Sequence, residues 1–259
     1  MRRRASGMGA LALGLALCLP AAAEEGPAAE IARKSRERGA LNLLDLEAEL
    51  KLTTAAKDGS TREQVLATAA RRIDGRVRSI SRFSAPPSVA GVAVLSVEGD
   101  GAEGDELSLW LPKLRRVRKV ARSQRGESFM QTDFSYADLG APAGVQDQDL
   151  ARDPDEVVEG RPAFVLRGRA GAGSPYGAVR IWVDQETFVP LKAEYRDKEG
   201  KPFKAYRALK LRRFGERTLA ASAVMENLQT GSRTTVEILR LGPSRLPDDA
   251  FTERALERG

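Results

Sequence analysis

The sequence holds no histidine and a single cysteine, Cys18, in 259 residues. Without imidazole there is no Ser-His-Asp or Cys-His nucleophilic machinery, no His-ligated metal and no histidine proton shuttle. One cysteine can close no intrachain disulfide and build no Cys-rich zinc site. Aromatic residues are scarce, at 5%. After the first two dozen residues no apolar run approaches the roughly 18 needed to cross a bilayer as a helix. What remains is a globular composition, 42% hydrophobic and 30% charged, with a formal net charge of +6.

The N-terminus pairs Arg2, Arg3 and Arg4 with an apolar run from Met8 to Leu19 and the small residues Ala21, Ala22 and Ala23. A basic start, a short apolar stretch and a small-residue cleavage site predict a signal peptide over residues 1–23, cut after Ala23. A lipidated cysteine needs a small residue before it. Leu17 precedes Cys18, so cleavage is favoured over lipidation at Cys18. Loss of the three arginines leaves 39 basic against 36 acidic residues, or +3. The mature chain, residues 24–259, then reads as one exported domain that lacks both Cys and His and is held by its core.

Period-two alternation dominates that domain. A short helix over Pro27–Arg38 comes first, with Pro at its start, Glu30 in its first turn and Gly39 as a stop. Leu44, Leu46, Ala48, Leu50 and Leu52 then share one face. Val65, Ala67 and Ala69 alternate on a return strand, and Arg76 to Phe83 and Gly91 to Val97 follow. Later strands place Phe164 and Leu166, Val179, Ile181 and Val183, and Val189, Leu191, Ala193 and Tyr195 in phase. Phe203, Ala205, Leu209 and Leu211, then Leu219, Ala221, Ala223 and Met225, and finally Val236 and Ile238 continue the pattern. Asp58-Gly59, Asp74-Gly75 and Asp197 to Gly200 mark hairpins. Pro247 to Phe251 starts a closing helix. The pattern predicts a mainly β protein (α+β), an antiparallel meander of about eleven strands. A sheet of that width curls or splits. Only about two helices are available for its apolar concave face, and if they cover it incompletely an apolar cavity remains.

Three clusters could carry function. Asp133 and Asp138 stand among Phe129, Met130, Phe134, Tyr136 and Leu139. They cap local turns or pair with arginines, or else they form a catalytic dyad. Lys113, Arg115, Arg116, Arg118, Lys119, Arg122 and Arg125 fall within thirteen residues that contain no acid. That run is either a solvated edge hairpin or an anion-facing patch for lipid head groups or a membrane surface. Without interleaved aromatics for base stacking, nucleic acid is a poor fit. Phe129, Phe134 and Tyr136 are either ordinary core or the wall or lid of a cavity.

Leu109 to Arg118, followed by Ser128-Phe129-Met130-Gln131-Thr132-Asp133-Phe134-Ser135-Tyr136-Ala137-Asp138-Leu139, resembles the outer-membrane lipoprotein-sorting protein family, a LolA-like group. Ser174-Pro175-Tyr176-Gly177, Ile181-Trp182-Val183-Asp184, Pro190-Leu191-Lys192 and the tail Phe251-Thr252-Glu253-Arg254 fit it in order and spacing. The resemblance implies a half-open β-barrel with helices plugging its concave side. It also implies a monomeric periplasmic carrier of lipids or lipoprotein acyl chains, working toward an acceptor at the outer membrane. Relatives accompany RND or MMPL-type transporters, and an adaptor or sensor docked on such a transporter is the alternative.

On this footing Leu46, Leu50, Leu109, Trp110, Leu111, Val179, Ile181, Trp182, Leu191 and Met225 are expected to contact the ligand. Phe129, Met130, Phe134 and Tyr136 are expected to form a lid or rim. Arg115, Arg116, Arg118 and Lys119 would meet a head group or a partner, with Arg116 and Arg118 paired to Asp133 when the cavity is empty. Such binding calls for no enzyme activity, cofactor or metal.

Overall fold

A computed structural model describes residues 27–38, 43–99, 105–139, 150–169 and 174–258. The expected signal peptide and Cys18 lie outside the described residues. Thirteen strands form one antiparallel sheet: β1 (Leu46–Ala55), β2 (Thr61–Ile73), β3 (Arg76–Ala85), β4 (Ala93–Val97), β5 (Glu106–Leu111), β6 (Arg116–Lys119), β7 (Leu150–Val158), β8 (Arg161–Arg169), β9 (Ala178–Asp184), β10 (Pro190–Arg196), β11 (Pro202–Phe214), β12 (Arg217–Asn227) and β13 (Ser232–Pro243). Their order is β6-β5-β4-β3-β2-β1-β13-β12-β11-β10-β9-β8-β7, so β6 and β7 are open edges and the barrel does not close. Two helices accompany the sheet, α1 (Pro27–Arg38) and α2 (Glu253–Leu256).

The count is thirteen rather than about eleven because the edges lack an apolar alternation. β6 is four residues long and three of them are cationic. β7 carries Pro154 at a register shift between Asp153 and Glu156. Charge and proline on an outer strand stop the sheet from pairing with another chain.

The sheet must wrap. If flat, β3 and β11 would stand about 24 Å apart at the usual strand spacing. Yet one tight segment between β6 and β7 reaches both, through Phe83 on β3 and Lys204 on β11. The inner face carries the main core: Leu46, Leu50 and Leu52 of β1, Leu66 of β2, Val94 of β4, Leu109 of β5, Val179 of β9, Tyr206 of β11, Met225 of β12 and Val236 of β13, all buried. α1 lays Ala28, Ile31 and Ala32 against Leu166 and Val183 at the β7 end of the same face.

The outer face is closed differently. The C-terminal tail buries Phe251 and Leu256 against Ala69, Ala93, Leu95, Trp110 and Val117. Arg82 donates to the Leu256 carbonyl at 2.9 Å, and the Ser108 hydroxyl donates to Glu253 at 2.6 Å. Around β8 to β10, Trp182 and Leu191 pack with Ala163 and Val165. The Trp182 ring lies under Arg180 and Lys192, and its N–H donates to Glu156 at 2.7 Å. Long cationic stems thus cover apolar surface while their charges stay in water.

The β9–β10 turn is locked by Asp184, which is 1% exposed. Its carboxylate accepts from Arg161 Nε at 2.5 Å and from the Thr187 N–H and hydroxyl, both at 2.8 Å. Burial pushes this carboxyl up, but those donors outweigh it and hold it below the ordinary 3.8. The folded form therefore binds the proton less readily than the unfolded chain. The stabilisation is complete above about pH 3.8 and is lost as pH falls through the lower folded-state value. Asp184→Asn should cost about 2 kcal/mol at pH 7. In urea melts the gap between variant and wild type should close below pH 3.8; a gap that stays constant down to pH 3 would refute the charge argument.

Candidate functional site

The site is the inner face of the sheet and the segment that fills it. Between β6 and β7 the chain dives inward. Phe129, Phe134 and Tyr136 are 4%, 6% and 8% exposed. Phe129 meets Phe83 at 5.5 Å and Tyr136 at 5.7 Å between ring centroids, and Met130 and Leu139 pack at the margin. The expected open hollow is therefore occupied by the protein itself. A cavity of about 20 Å³ remains beneath Phe134, bordered by Leu50, Tyr206, Ala220, Ala223, Val236 and Ile238. That is room for about one water molecule.

The segment is a preformed plug. Phe129 N–H donates to the Phe134 carbonyl at 2.7 Å, and the Ser128 hydroxyl to the Thr132 carbonyl at 2.6 Å. Met130 and Gln131, at its tip, both take left-handed backbone with φ of 49° and 63°. Non-glycine residues adopt that region at a cost of about 1 kcal/mol each. The tip is held by Gln64 of β2, whose amide donates to the Met130 carbonyl at 3.1 Å. Gly126 starts the segment against Pro175, where a Cβ would lie 2.9 Å from the ring.

Two buried carboxylates pin it to the sheet. Asp133 accepts from the hydroxyls of Ser232 and Thr234 on β13, the latter at 2.7 Å, and its own N–H donates to Thr234 Oγ1 at 2.9 Å. Asp138 forms a capping box with Ser135, accepting from its N–H at 2.7 Å and its hydroxyl at 2.8 Å. It also accepts from the Tyr176 hydroxyl at 2.7 Å and pairs with Lys204 Nζ at 3.4 Å, with both side chains 5% exposed. Gly177 lets this corner close, since a Cβ there would sit 2.4 Å from the Asp197 carbonyl. Burial, reinforced by the Asp138 charge, pushes the Tyr176 and Tyr195 phenols up, so both stay protonated donors. Burial alone does the same at Tyr206.

The sequence-predicted residues divide accordingly. Leu46, Leu50, Leu109, Val179 and Met225 line the inner core, with Leu111, Ile181 and Met130 at its edge. Trp110, Trp182 and Leu191 belong to the outer clusters instead. Trp110 and Trp182 alternate with inward neighbours, and a bulge between Pro190 and Lys192 turns Leu191 away from Ala193. On β11 the phase is opposite to that expected. Lys204, Tyr206 and Ala208 point inward, while Leu209 is 49% exposed.

Arg116 and Arg118 lie across from Leu111 and Leu109, and Arg118 donates to Gln124 at 2.9 Å. Asp133 is satisfied by hydroxyls, so the expected arginine pairing is replaced by Ser232 and Thr234. Lys119 faces outward, bridged to Glu106 at 3.2 Å, and Arg115 caps a short turn with φ of 48°. Sequence reasoning missed Gln64, Tyr176, Lys204, Tyr206 and Thr234. The parity shared by Lys204, Tyr206 and Ala208 was the available signal. Among the described residues, no three acidic, Cys or His side chains stand together as metal ligands.

An unclosed, curved antiparallel sheet with few helices is a LolA-like fold; here a loop, rather than helices alone, fills the concave side. A family model described as "Uncharacterized protein" matches residues 75–258, and the chain belongs to that family. Its structural neighbours include a domain named for outer membrane lipoprotein sorting from Vibrio parahaemolyticus, 24% identical, with a TM-score of 0.79 over 89% of this chain and 98% of that one. A DUF1329 family protein from Desulfovibrio piger is 22% identical, with a TM-score of 0.78 over 88% and 97%. A LolA superfamily protein from Nitrosomonas europaea is 21% identical, with a TM-score of 0.68 over 88% and 98%. No curated protein matches the sequence.

Replacing Thr234 by Val keeps its shape and deletes its bonds to Asp133. Amide exchange across residues 127–138 should speed up tenfold or more, the equivalent of losing about 1–3 kcal/mol of local protection. Exchange in β12 should not move. Equal protection of the plug in both proteins would show that Asp133 is no anchor.

Proposed function

We propose that this chain is an exported, single-domain periplasmic carrier, cleaved after Ala23, that takes up the acyl chains of lipids or lipoproteins on its inner face for transfer toward the outer membrane. The observation that carries the reading is the plug: among the described residues, the centre of the apolar inner face is covered by one loop rather than by a second sheet or a long helix. The printed name of the Vibrio parahaemolyticus domain supports it.

The energetics are those of an exchange. An acyl chain gains about 0.8 kcal/mol per methylene removed from water, so a sixteen-carbon chain is worth roughly 12 kcal/mol. Burying Phe129, Phe134 and Tyr136, with Met130 and Leu139 half covered, is worth on the order of 8–10 kcal/mol. These sums lie within a few kcal/mol of each other. A ligand that displaces the plug would therefore be held modestly and could be handed on, since release is driven by the returning loop. Neither binding nor release calls for bond chemistry, so the inner face works without a catalytic group.

Weakening the plug should favour the ligand. Phe134→Ala removes the ring that borders the cavity and should tighten binding of a fluorescent fatty acid at least tenfold, measured by titration at fixed protein concentration. Native mass spectrometry of the protein drawn from its own periplasm should show an acyl mass travelling with it. Failure of both wild type and Phe134→Ala to bind any acyl probe would remove the carrier reading.

A further inference from the structure

Lys204, on the inner face, is a feature that an acyl chain does not explain. It sits on β11 with its side chain 5% exposed, and its ammonium meets two polar groups: the Asp138 carboxylate at 3.4 Å and the Tyr176 hydroxyl at 3.2 Å. Asp138 belongs to the plug, whereas Lys204 and Tyr176 belong to the wall. When the plug leaves, the carboxylate leaves with it, and a buried cation and a phenol donor stay behind. An unpaired buried charge is strongly unfavourable, so a neutral chain alone is a poor replacement for the plug.

Two positions along the same strand, about 7 Å away, is Tyr206. Its hydroxyl is buried and has no hydrogen-bond partner among the described residues. Tyr206 borders the cavity beneath Phe134, whose other walls are Leu50, Ala220, Ala223, Val236 and Ile238. The inward row of β11 thus reads cation, unpaired phenol, then Ala208 and an apolar bed.

We infer that Lys204 and Tyr206 bind an acyl lipid with an acidic head: its carboxylate or phosphate replaces Asp138 on Lys204 and Tyr176, and its chain takes the place of Phe134. Tyr206 is then placed to donate to an oxygen near the head of the chain. Asp138 acts as a built-in stand-in for the ligand's anion, and the plug competes with the ligand at both of its ends. The inference rests on the carrier reading, in which the plug is displaced. It narrows that reading from acyl chains in general to acidic lipids, in preference to the uncharged ester- and amide-linked chains of a lipoprotein.

The test is a titration of the full chain with a fluorescent fatty acid and with the methyl ester of the same fatty acid. Dodecyl phosphate and inorganic phosphate serve as competitors. The acid should bind at least tenfold tighter than the ester. Dodecyl phosphate should displace it and inorganic phosphate should not. Asp138→Asn should tighten the acid at least fivefold and the ester less. Lys204→Met should bring acid and ester within threefold of each other. Where Lys204→Met does not fold, the paired Asp138→Asn/Lys204→Met variant keeps the shape without the charges and should show the same levelling.

Equal binding of acid and ester by wild type would overturn the acidic-head site while leaving the carrier reading intact. Displacement by inorganic phosphate as effective as by dodecyl phosphate would overturn it in favour of a free-anion site. Binding of neither acid nor ester would overturn the carrier reading itself, and this inference with it.

Discussion

A thirteen-stranded sheet with one apolar side cannot leave that side wet. At about 25 cal/mol for each Å² kept from water, the inner face has to be covered by something. α1 covers the β7–β9 end and touches β12. The remainder falls to the segment that begins at Gly126 and ends near Leu139, and the rest of the structure follows from how that segment is held. Its rings give the affinity and its polar atoms give the register. Asp133 finds β13, Gln64 finds the tip, and Asp138 finds Lys204. None of these bonds adds much net stability, because each replaces a bond to water. Breaking one alone is costly, because it leaves a buried donor or charge unmatched. The plug is therefore fixed in one position by several bonds that support one another.

This pinned seating is what separates the two faces of the sheet. Outside, Phe251 and Leu256 are drawn down by Arg82 and Glu253, with contacts spread over β2 to β6. Trp182 is roofed by side chains of its own sheet. Nothing in either arrangement resembles a ligand. Inside, the plug presents a carboxylate close to apolar rings, the same sequence of groups as an acidic lipid. In the proposed exchange that likeness would give stopper and cargo a common set of partners on the wall, so that one could replace the other without leaving Lys204 or Tyr176 unpaired.

Much of the frame was legible in the sequence. The Asp-Gly turns, the inward Leu46, Leu50 and Leu52, and the alternation of Val179, Ile181 and Val183 follow from period and turn chemistry alone, whereas the sequence does not decide between core and lid for Phe129, Phe134 and Tyr136, which the structure buries. The failures share one cause. Alternation assigns a face by hydrophobicity, and β11 has its most apolar residues on the wrong side: Leu209 is half exposed while Lys204 is buried. A lysine turned inward contradicts the rule that sets the phase, and only its partner on a distant loop makes the choice stable. At β10 a single bulge reverses Leu191, which no periodicity registers. The edge strands β6 and β7 were hidden by the charge and proline that protect them.

The two residues weighed as a catalytic pair, Asp133 and Asp138, show why a carboxylate among aromatics is ambiguous from sequence. Both are buried, as catalytic acids often are. They point to different walls, however. Asp133 is saturated by two hydroxyls on β13, and Asp138 by Ser135, Tyr176 and Lys204. Both carboxylates are buried against protein donors rather than turned to an open space where a substrate could sit, whereas catalysis needs a group whose partner is the substrate. Their common property is position on the plug. Each anchors one side of it, to β13 and to β11, and β12 between them carries Ala220 and Ala223, two walls of the cavity under Phe134. The polar pins thus straddle the apolar ground under Phe134, so that in the proposed exchange an entering chain that pushes Phe134 aside would load both of them at once.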